Sequence, residues 1–240
     1  MRIVITSAPK TGNHWIKCLL AEAYGLRWIS GDEKSPTTRP DQFRAWMAAG
    51  QFPDGSIFHQ HCRFSRALVD EITAAHAHLV TIVRDPYDMF ISMYSWVQER
   101  EAHDVRSQQA RPRDRMIDKP LGHPDVLAFL TNDFGSVLRR SNEWLHSGRA
   151  LVVRYEELHA DPIAELRRTT VQIEPIVVDR LTDAVEACRA ENLRQRNEKM
   201  QWHVRSARIG ESRERLGEEH LQIFRDRHAT TIRSLGYEVR

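Results

Sequence analysis

The sequence predicts an α/β protein, a three-layer α/β/α sandwich whose central sheet is mostly parallel. Two observations favour this class. Short apolar segments typical of strands alternate along the chain with segments that have the apolar period of helices. The strand segments are also unbroken apolar runs, as expected of strands that helices cover on both faces. With 240 residues, 41% of them hydrophobic, the chain can form a sizeable core, and we expect a single domain over residues 1–240.

Four segments have the composition of strands. They are Arg2–Thr6, Ser56–His61, His78–Arg84 and Ala150–Arg154. The third strand leads into Asp85 and Pro86, a pair typical of a helix N-cap followed by proline at the first helical position.

Helices are predicted where apolar residues recur at helical spacing. They cover about residues 15–24, 86–97, 124–146, 176–189 and 216–235, and Gly236 is placed to cap the last. Segments 31–40 and 101–122 are polar and contain prolines, so we expect irregular structure there. Segments 31–50 and 101–122 are the predicted walls of an acceptor pocket, and 101–122 is long enough to be either a lid or disordered.

Charge does not indicate a polyanionic or membrane partner. The formal net charge is +2, and no segment is long and apolar enough to span a membrane. We therefore expect no nucleic-acid and no membrane partner. Arginines gather around Arg100–Arg115 and Arg205–Arg215, which leaves open a small anionic ligand and, as a third-ranked alternative, nucleic acid.

The cysteines favour a reducing compartment. Cys18, Cys62 and Cys188 are odd in number and form no Cys-x-x-Cys pair, so we expect no disulfide framework. The N-terminal residues also lack the apolar stretch of a signal peptide. A cytoplasmic protein is the expectation.

The segment after the first strand, Ser7–Trp15, has the composition of a phosphate-binding turn. A buried strand, a glycine turn and a following helix present backbone N–H groups and a helix N-terminus to an anion, and Lys10 adds a positive charge. The turn is not a Walker A loop, because Lys10 precedes its only glycine, Gly12. This weakens the alternative of a nucleotide-dependent kinase, while a plain strand-to-helix connection stays open.

Arg84 and Ser92 form a second candidate anion site. Arg84 stands where a buried strand ends, which is the usual ligand end of a parallel sheet, and its guanidinium can bind a phosphate through two hydrogen bonds. Ser92, two turns into the next helix, can donate another. The alternatives are an Arg84–carboxylate pair and an ordinary serine on a helix surface.

Together these segments resemble the sulfotransferases that use PAPS (3′-phosphoadenosine-5′-phosphosulfate). Residues 9–15, Pro-Lys-Thr-Gly-Asn-His-Trp, resemble the family's Pro-Lys-[Ser/Thr]-Gly-x-x-Trp loop, which grips the 5′-phosphosulfate. Residues 84–92 resemble its Arg-[Asn/Asp]-Pro-x-Asp-x3-Ser motif, which binds the 3′-phosphate. The resemblance implies a P-loop NTPase-like fold. It also implies donor contacts by Lys10, Thr11, Gly12, Asn13, His14, Trp15, Arg84 and Ser92.

Two weaker matches extend the resemblance. Residues 155–158, Tyr-Glu-Glu-Leu, resemble a family segment whose tyrosine lies by the adenine, and residues 208–210, Arg-Ile-Gly, resemble an Arg-Lys-Gly element that closes over the 3′-phosphate. The implied donor site thus also includes Tyr155, Arg208 and Gly210. The chain departs from the family at Asn13 and His14, where hydroxyl residues are common, and at Ile209, where lysine is usual.

His59 and His61 are the candidate proton acceptors. Residues i and i+2 of a strand point to one face, so both imidazoles can face the donor. His59-Gln60-His61 resembles the family's Lys-Thr-His, whose histidine is the general base; this implies that His61 is the base and that His59 replaces the lysine. Two alternatives stay open: His59 is the base and His61 takes the other role, or both histidines are merely structural. A metal site with Cys62 is a weaker alternative, because no second ligand pair accompanies it, and we expect no metal.

The resemblance implies an enzyme that transfers a sulfuryl group from PAPS to a hydroxyl, or less often an amine, and releases adenosine 3′,5′-bisphosphate (PAP). The acceptor would be a small molecule or a carbohydrate. His61 would take the acceptor proton, and Lys10 would stabilise the leaving phosphate oxygen. A non-catalytic nucleotide-binding module is the alternative from another class. No motif indicates the acceptor or the oligomeric state.

Overall fold

Five parallel strands form the central sheet. The computed structural model describes residues 1–29, 39–100, 111–195 and 208–240, without the side chains of residues 100 and 194. The strands are β1 (Arg2–Thr6), β2 (Arg27–Trp28), β3 (Ser56–Gln60), β4 (Ala77–Val83) and β5 (Leu151–Arg154), in the order β2-β3-β1-β4-β5. Every pairing is parallel, so the carboxyl ends of β1, β3 and β4 meet at one edge of the sheet.

Helices surround this sheet. They are α1 (Asn13–Tyr24), α2 (Pro40–Ala48), α3 (Arg66–Ala74), α4 (Pro86–Arg100), α5 (Pro124–Asn132), α6 (Phe134–Leu145), α7 (Tyr155–Ala160), α8 (Pro162–Val171), α9 (Val178–Ala187), α10 (Ala190–Gln195), α11 (Glu211–Arg215), α12 (Glu218–Ile223) and α13 (Ala229–Ser234). A short 3-10 helix covers Pro112–Met116, and a π-helical turn, Phe224–His228, joins α12 to α13. No helix in the described part of the chain is long and apolar enough to cross a bilayer.

Successive side chains of β1 point to opposite faces of the sheet and pack against different layers of helices. Ile3 and Ile5 pack into a core with side chains of α1, α8 and α9, whereas Val4, between them, packs into a core with side chains of α2 and α3. Both faces of the sheet are therefore buried by helices, which explains the unbroken apolar strands. The predicted three-layer sandwich is confirmed. A third core joins α4, α5 and α6 to the C-terminal helices.

The predicted helix over residues 124–146 is wrong as one element. Asp133 separates α5 from α6, and the carbonyl of Asp133 accepts a hydrogen bond from the N–H of Ser136 in the first turn of α6. Asn132 and Asp133 favour helix ends because their side chains compete for backbone hydrogen bonds. The apolar period continues across the break, so periodicity alone did not detect it.

The expectation of no disulfide is wrong. Cys18 of α1 and Cys188, just after α9, form a disulfide across 170 residues of sequence, while Cys62 is free and buried. The two cysteines meet because α1 packs directly on α9. Their spacing in the sequence carries no sign of that contact.

Half of the predicted irregular segment 101–122 is a packed wall. Met116 is fully buried, the Tyr94 hydroxyl donates to the carbonyl of Lys119 at 2.8 Å, and Gln98 donates to the carbonyl of Met116 at 2.6 Å. Residues 111–122 are therefore ordered and pack against α4. Residues 101–110, and residues 30–38 of the other irregular segment, lie outside the described residues.

Candidate active site

A cavity of about 660 Å³ lies at the carboxyl ends of β1, β3 and β4. Its walls come from the loop after β1, the first turn of α1, one face of α4, the 3-10 helix and the α9–α10 connection. The sequence-predicted residues that line it are Lys10, Gly12, Asn13, His14, Trp15, His61, Arg84, Ser92 and Tyr155. Three other predicted residues, Thr11, Arg208 and Gly210, do not line it.

The loop after β1 requires glycine at position 12. Gly12 has φ 104°, a left-handed conformation, and a Cβ there would lie 2.6 Å from Cδ2 of Tyr155. Thr11 and Asn13 turn inward: the Thr11 hydroxyl and the Asn13 amide donate to the carbonyl of Ala8 at 2.9 and 3.1 Å, and Asn13 also accepts from Ser7. These two side chains hold the loop. The loop itself presents the start of α1 and the side chain of Lys10 to the cavity.

Arg84 joins three predicted segments. Its guanidinium donates to the carbonyls of Lys10 and Arg208 at 3.3 and 3.0 Å and lies 4.2 Å from the centre of the Tyr155 ring. Arg84 is 9% exposed, and within the described residues its buried Nε has no hydrogen-bond partner and its guanidinium forms no ion pair. A buried N–H donor beside a cavity fits an anionic ligand that would supply the missing acceptor.

Asp88 organises the segment that contains Arg208 and Gly210. Its buried carboxylate accepts hydrogen bonds from the N–H groups of Gly210 and Ser212 at 2.6 and 3.0 Å. The Arg208 side chain is 57% exposed and pairs with Glu214 at 2.8 Å, while its carbonyl contacts Arg84. This role of Asp88 was not predicted, although Asp88 stands four residues after Arg84 in the same motif.

His61 lies at the end of β3 with a defined tautomer. Its Nδ1 is 3.1 Å from the carbonyl oxygen of Ser7. A carbonyl only accepts hydrogen bonds, so Nδ1 carries the proton and, in the neutral ring, Nε2 keeps its lone pair. This is the tautomer that a proton-accepting imidazole needs.

The pKa of His61 is lowered from its ordinary value to about 4. The main cause is desolvation, which outweighs the opposing hydrogen bond to Ser7, and the charges of Arg140, Arg113 and Lys10 lower the pKa further. The ring surface is itself exposed, but it faces the cavity, where protein surrounds it. His61 is therefore neutral at physiological pH.

Three histidine rings form a row beside the loop. The ring centres of His14 and His59 are 4.7 Å apart, and those of His59 and His61 are 5.5 Å apart. His14 and His61 line the cavity, whereas His59 stands between them and does not. Within the described residues, no group of three or more histidine, cysteine or carboxylate side chains could hold a metal.

The walls add groups that the motifs did not indicate. Trp96 of α4 lies within 5.7 Å of the Lys10 ammonium and 4.6 Å of the Arg113 guanidinium, measured to its ring centre. Arg111 and Glu99 line the same side of the cavity. Two sequence signals pointed to this wall, the arginine cluster at 100–115 and the prediction that segment 101–122 borders the acceptor pocket; the described residues of the other predicted wall, 39–50, do not line the cavity.

The chain belongs to the sulfotransferase domain family, whose model matches residues 1–227. The predicted family and the predicted enzyme class, the PAPS-dependent sulfotransferases, are confirmed by this match. A search of curated protein sequences found no match.

Solved structures show the same fold at low sequence identity. Mouse sulfotransferase SULT7A1 complexed with PAP has a TM-score of 0.71 and 17% identity, over 97% of this chain and 84% of that one. Retinol dehydratase in complex with androsterone and PAP has a TM-score of 0.64 and 12% identity, over 100% and 82%. A putative steroid sulphotransferase of Arabidopsis thaliana has a TM-score of 0.56 and 16% identity, over 100% and 78%. The P-loop NTPase-like arrangement of the predicted fold is thus confirmed.

Proposed function

We propose that this chain, acting as one domain over residues 1–240, transfers a sulfuryl group from PAPS to a hydroxyl or amine of an acceptor. One observation carries the proposal. A single cavity brings together the loop of Lys10 and Gly12, the Arg84 guanidinium with its unsatisfied Nε, and the neutral His61. These are the groups that a doubly phosphorylated donor and a protonated nucleophile require.

The donor end of the cavity would hold PAPS through backbone and side-chain donors. The start of α1 and Lys10 suit the 5′-phosphosulfate, because a helix N-terminus and an ammonium both favour anions. Arg84 and Ser92 suit the 3′-phosphate, with Arg84 offering its buried Nε. Trp15 and Tyr155, whose ring centres are 5.9 Å apart, provide aromatic walls for the base. The mouse sulfotransferase and the retinol dehydratase of similar structure are both complexed with PAP, which supports this ligand.

Arg208 and Gly210 would contribute through their backbone in the arrangement described. Arg84 and Asp88 bind this segment from the side of the 3′-phosphate motif. The Arg208 side chain would need to leave Glu214 to reach a phosphate, and that surface ion pair is weak enough to exchange.

The catalytic roles follow from protonation states. Nε2 of His61 would accept the acceptor's proton as the acceptor oxygen bonds to sulfur. Lys10 would stabilise the negative charge that grows on the departing 5′-phosphate oxygen. An anionic donor beside His61 would raise the lowered pKa of the imidazole, so the base would be stronger when the donor is bound.

The acceptor would be a small molecule or a carbohydrate. Retinol dehydratase, a structure similar to this chain, has been solved in complex with androsterone and in complex with retinol. A cavity of about 660 Å³ is large enough for a nucleotide and part of an acceptor. We propose no nucleic-acid partner and no membrane partner.

Thermal unfolding with PAP and with AMP tests the donor site. PAP should raise the melting temperature by mass action, and AMP should do so much less because it lacks the 3′-phosphate. Arg84→Ala should reduce the PAP effect, corresponding to a loss on the order of 1.5–3 kcal/mol of binding free energy. Arg66→Ala, an exposed arginine of α3, is the control. Equal stabilisation by AMP and PAP would reject the proposed donor site.

A further inference from the structure

Residues 236–240, which follow α13, pack beside the start of α4. Tyr237 and Val239 lie half-buried against the core that joins α4 to the C-terminal helices. The backbone N–H of Arg240 donates to the hydroxyl of the buried Tyr87 at 2.8 Å. This stretch of chain is thus attached to the first turn of α4, inside the predicted 3′-phosphate motif.

The Arg240 guanidinium touches both α4 and α11. Its central carbon lies 3.8 Å from the centre of the Tyr87 ring, and its Nη2 donates to the hydroxyl of Ser212 at 2.8 Å. Ser212 is buried in the first turn of α11. Because stacking on an aromatic ring restricts the plane of a guanidinium, this hydrogen bond holds Ser212 at a fixed place relative to Tyr87.

The charge of Arg240 also acts on Asp85, the N-cap of α4. Burial raises the pKa of the Asp85 carboxyl, and the hydrogen bond from the Asp88 N–H and the positive charge of Arg240 act against that rise. Arg240 thus favours the ionised carboxylate, which accepts hydrogen bonds from the N–H groups of Tyr87 and Asp88. The guanidinium therefore supports the start of α4 as well as its contact with α11.

Ser212 is held on two sides. Its N–H donates to the Asp88 carboxylate at 3.0 Å, and its hydroxyl accepts from Arg240. The N–H of Gly210 donates to the same carboxylate. Asp88 and Tyr87, the residue on which Arg240 stacks, both belong to the first turn of α4, so two separate side chains tie α11 to that turn.

The segment that Arg240 holds borders the donor side of the cavity. Glu211, next to Ser212, lines the cavity together with Arg84. The carbonyl of Arg208, four residues before Ser212, accepts a hydrogen bond from Arg84 at 3.0 Å. If the segment moved away, Arg84 would lose this acceptor, and the direction of its unsatisfied Nε would no longer be fixed.

We propose that Arg240 is a positioning residue for the 3′-phosphate of the donor. By holding Ser212 against α4, it keeps the Arg208 carbonyl in the place where that carbonyl orients the Arg84 guanidinium. The inference rests on the proposed donor site. Arg240 does not line the cavity, so its effect on the nucleotide passes through residues 208–212 and Arg84. AMP, which lacks the 3′-phosphate, should not feel this effect.

Calorimetric titration of Arg240→Gln with PAP and with AMP tests the inference. The ratio of the two dissociation constants measures the preference for the 3′-phosphate. Arg240→Gln should reduce this preference about three- to tenfold, the size of one hydrogen bond, with PAP bound more weakly and AMP bound as before. A role in stability alone would lower the melting temperature and leave the preference unchanged.

Ser212→Ala removes the acceptor of the same hydrogen bond and should reduce the preference to a similar degree. Because both changes break one contact, the double variant should lose little more than either single variant. Arg233→Gln, which changes an exposed arginine of α13 that does not line the cavity, is the matched control and should keep the preference.

The inference is overturned if folded Arg240→Gln keeps the wild-type preference, if PAP and AMP weaken equally, or if the losses in Arg240→Gln and Ser212→Ala add in full. Should Arg240→Gln fail to fold, Ser212→Ala decides, and an unchanged preference in that variant overturns the inference. A wild-type protein with no preference for PAP over AMP would instead reject the proposed donor site.

Discussion

At the scale of residues, the site depends on where protons and charges are held. Ser7 fixes the tautomer of His61, and desolvation and nearby cations keep its ring neutral. The buried Nε of Arg84 has no hydrogen-bond partner among the described residues, while its two other nitrogens donate to the backbone carbonyls of Lys10 and Arg208. In the proposed function, Arg84 would offer this N–H to an anionic ligand, and His61 would offer the lone pair of Nε2 to the acceptor's proton.

The pH behaviour of His61 follows from these contacts. An unperturbed imidazole titrates near pH 6.5, whereas the pKa of His61 lies near 4 in the free protein. The ring is therefore unprotonated throughout the neutral range, and it becomes protonated only as the pH falls below about 5. Binding of anionic PAP should raise this pKa.

Nuclear magnetic resonance titration of His61, assigned by its absence in His61→Ala, would measure both values. A pKa at or above 6.5 in the free protein, or no rise with PAP, would contradict the electrostatic account. His146→Ala serves as the control, because His146 is exposed and does not line the cavity, so its loss should leave the His61 titration curve in place.

At the scale of elements, hydrogen bonds to the Asp88 carboxylate connect α4 to α11; we call this contact the Asp88 clamp. The carboxylate caps the N-terminus of α11 through the N–H groups of Gly210 and Ser212, and Asp85 caps α4 through the N–H groups of Tyr87 and Asp88. The 3′-phosphate motif thereby holds the late Arg-Ile-Gly segment beside Arg84.

Asp88→Asn should loosen that segment. The amide keeps one acceptor oxygen for two N–H groups, so one buried donor loses its partner at a cost of about 1–3 kcal/mol in the free energy of unfolding. Hydrogen exchange should accelerate at Gly210 and Ser212, and PAP affinity should fall. Asp161→Asn, which alters a cap of α8, is the control. Unchanged exchange at both amides would show that the clamp does not hold the segment.

Many of the strands and helix ends could be predicted from the sequence, because their signals lie in neighbouring residues. The apolar pattern predicted β1 with its observed bounds. The predicted strands differ from the observed β3 and β5 by one residue at one end, and from β4 by one residue at each end. Asp85 and Pro86 are adjacent in the sequence and together predict a helix N-cap. The structure shows that cap, because the N–H groups of Tyr87 and Asp88 donate to the Asp85 carboxylate. The two segments that resemble phosphate-binding motifs also follow β1 and β4 directly, and the parallel topology brings those strand ends together.

Other features arise only from contacts between distant segments. The α5–α6 break at Asp133 lies inside a continuous apolar period, and the two-residue β2 is too short to show one. The Cys18–Cys188 pair and the stacking of Arg113 on Trp96 depend on how helices pack, which no spacing in the sequence records.

At the scale of the whole molecule, the Cys18–Cys188 disulfide links the helix after the phosphate loop to the α9–α10 wall of the cavity. Closing a loop of this length restricts the unfolded chain, so reduction should lower the free energy of unfolding by about 2–5 kcal/mol. Chemical denaturation of the wild type with and without reductant measures the difference. The bond also removes the cysteine-based reason for a reducing compartment, and a cytoplasmic location stays a prediction.

Two variants separate the bond from general effects of reductant. Cys18→Ser should behave as the reduced wild type under both conditions, whereas Cys62→Ser should keep the sensitivity to reductant, because Cys62 is free. Identical unfolding of the wild type with and without reductant would mean that the bond does not stabilise the protein.

Sulfuryl transfer itself is the central claim, and transfer of labelled sulfur tests it most directly. The protein is incubated with PAPS carrying radiolabelled sulfur and a metabolite extract, and labelled products are separated from PAPS and free sulfate. The wild type should place label on an acceptor, and His61→Ala should reduce this by roughly 100- to 10,000-fold while PAP still stabilises the protein. Label confined to PAPS and free sulfate, or equal transfer by His61→Ala, would contradict the account.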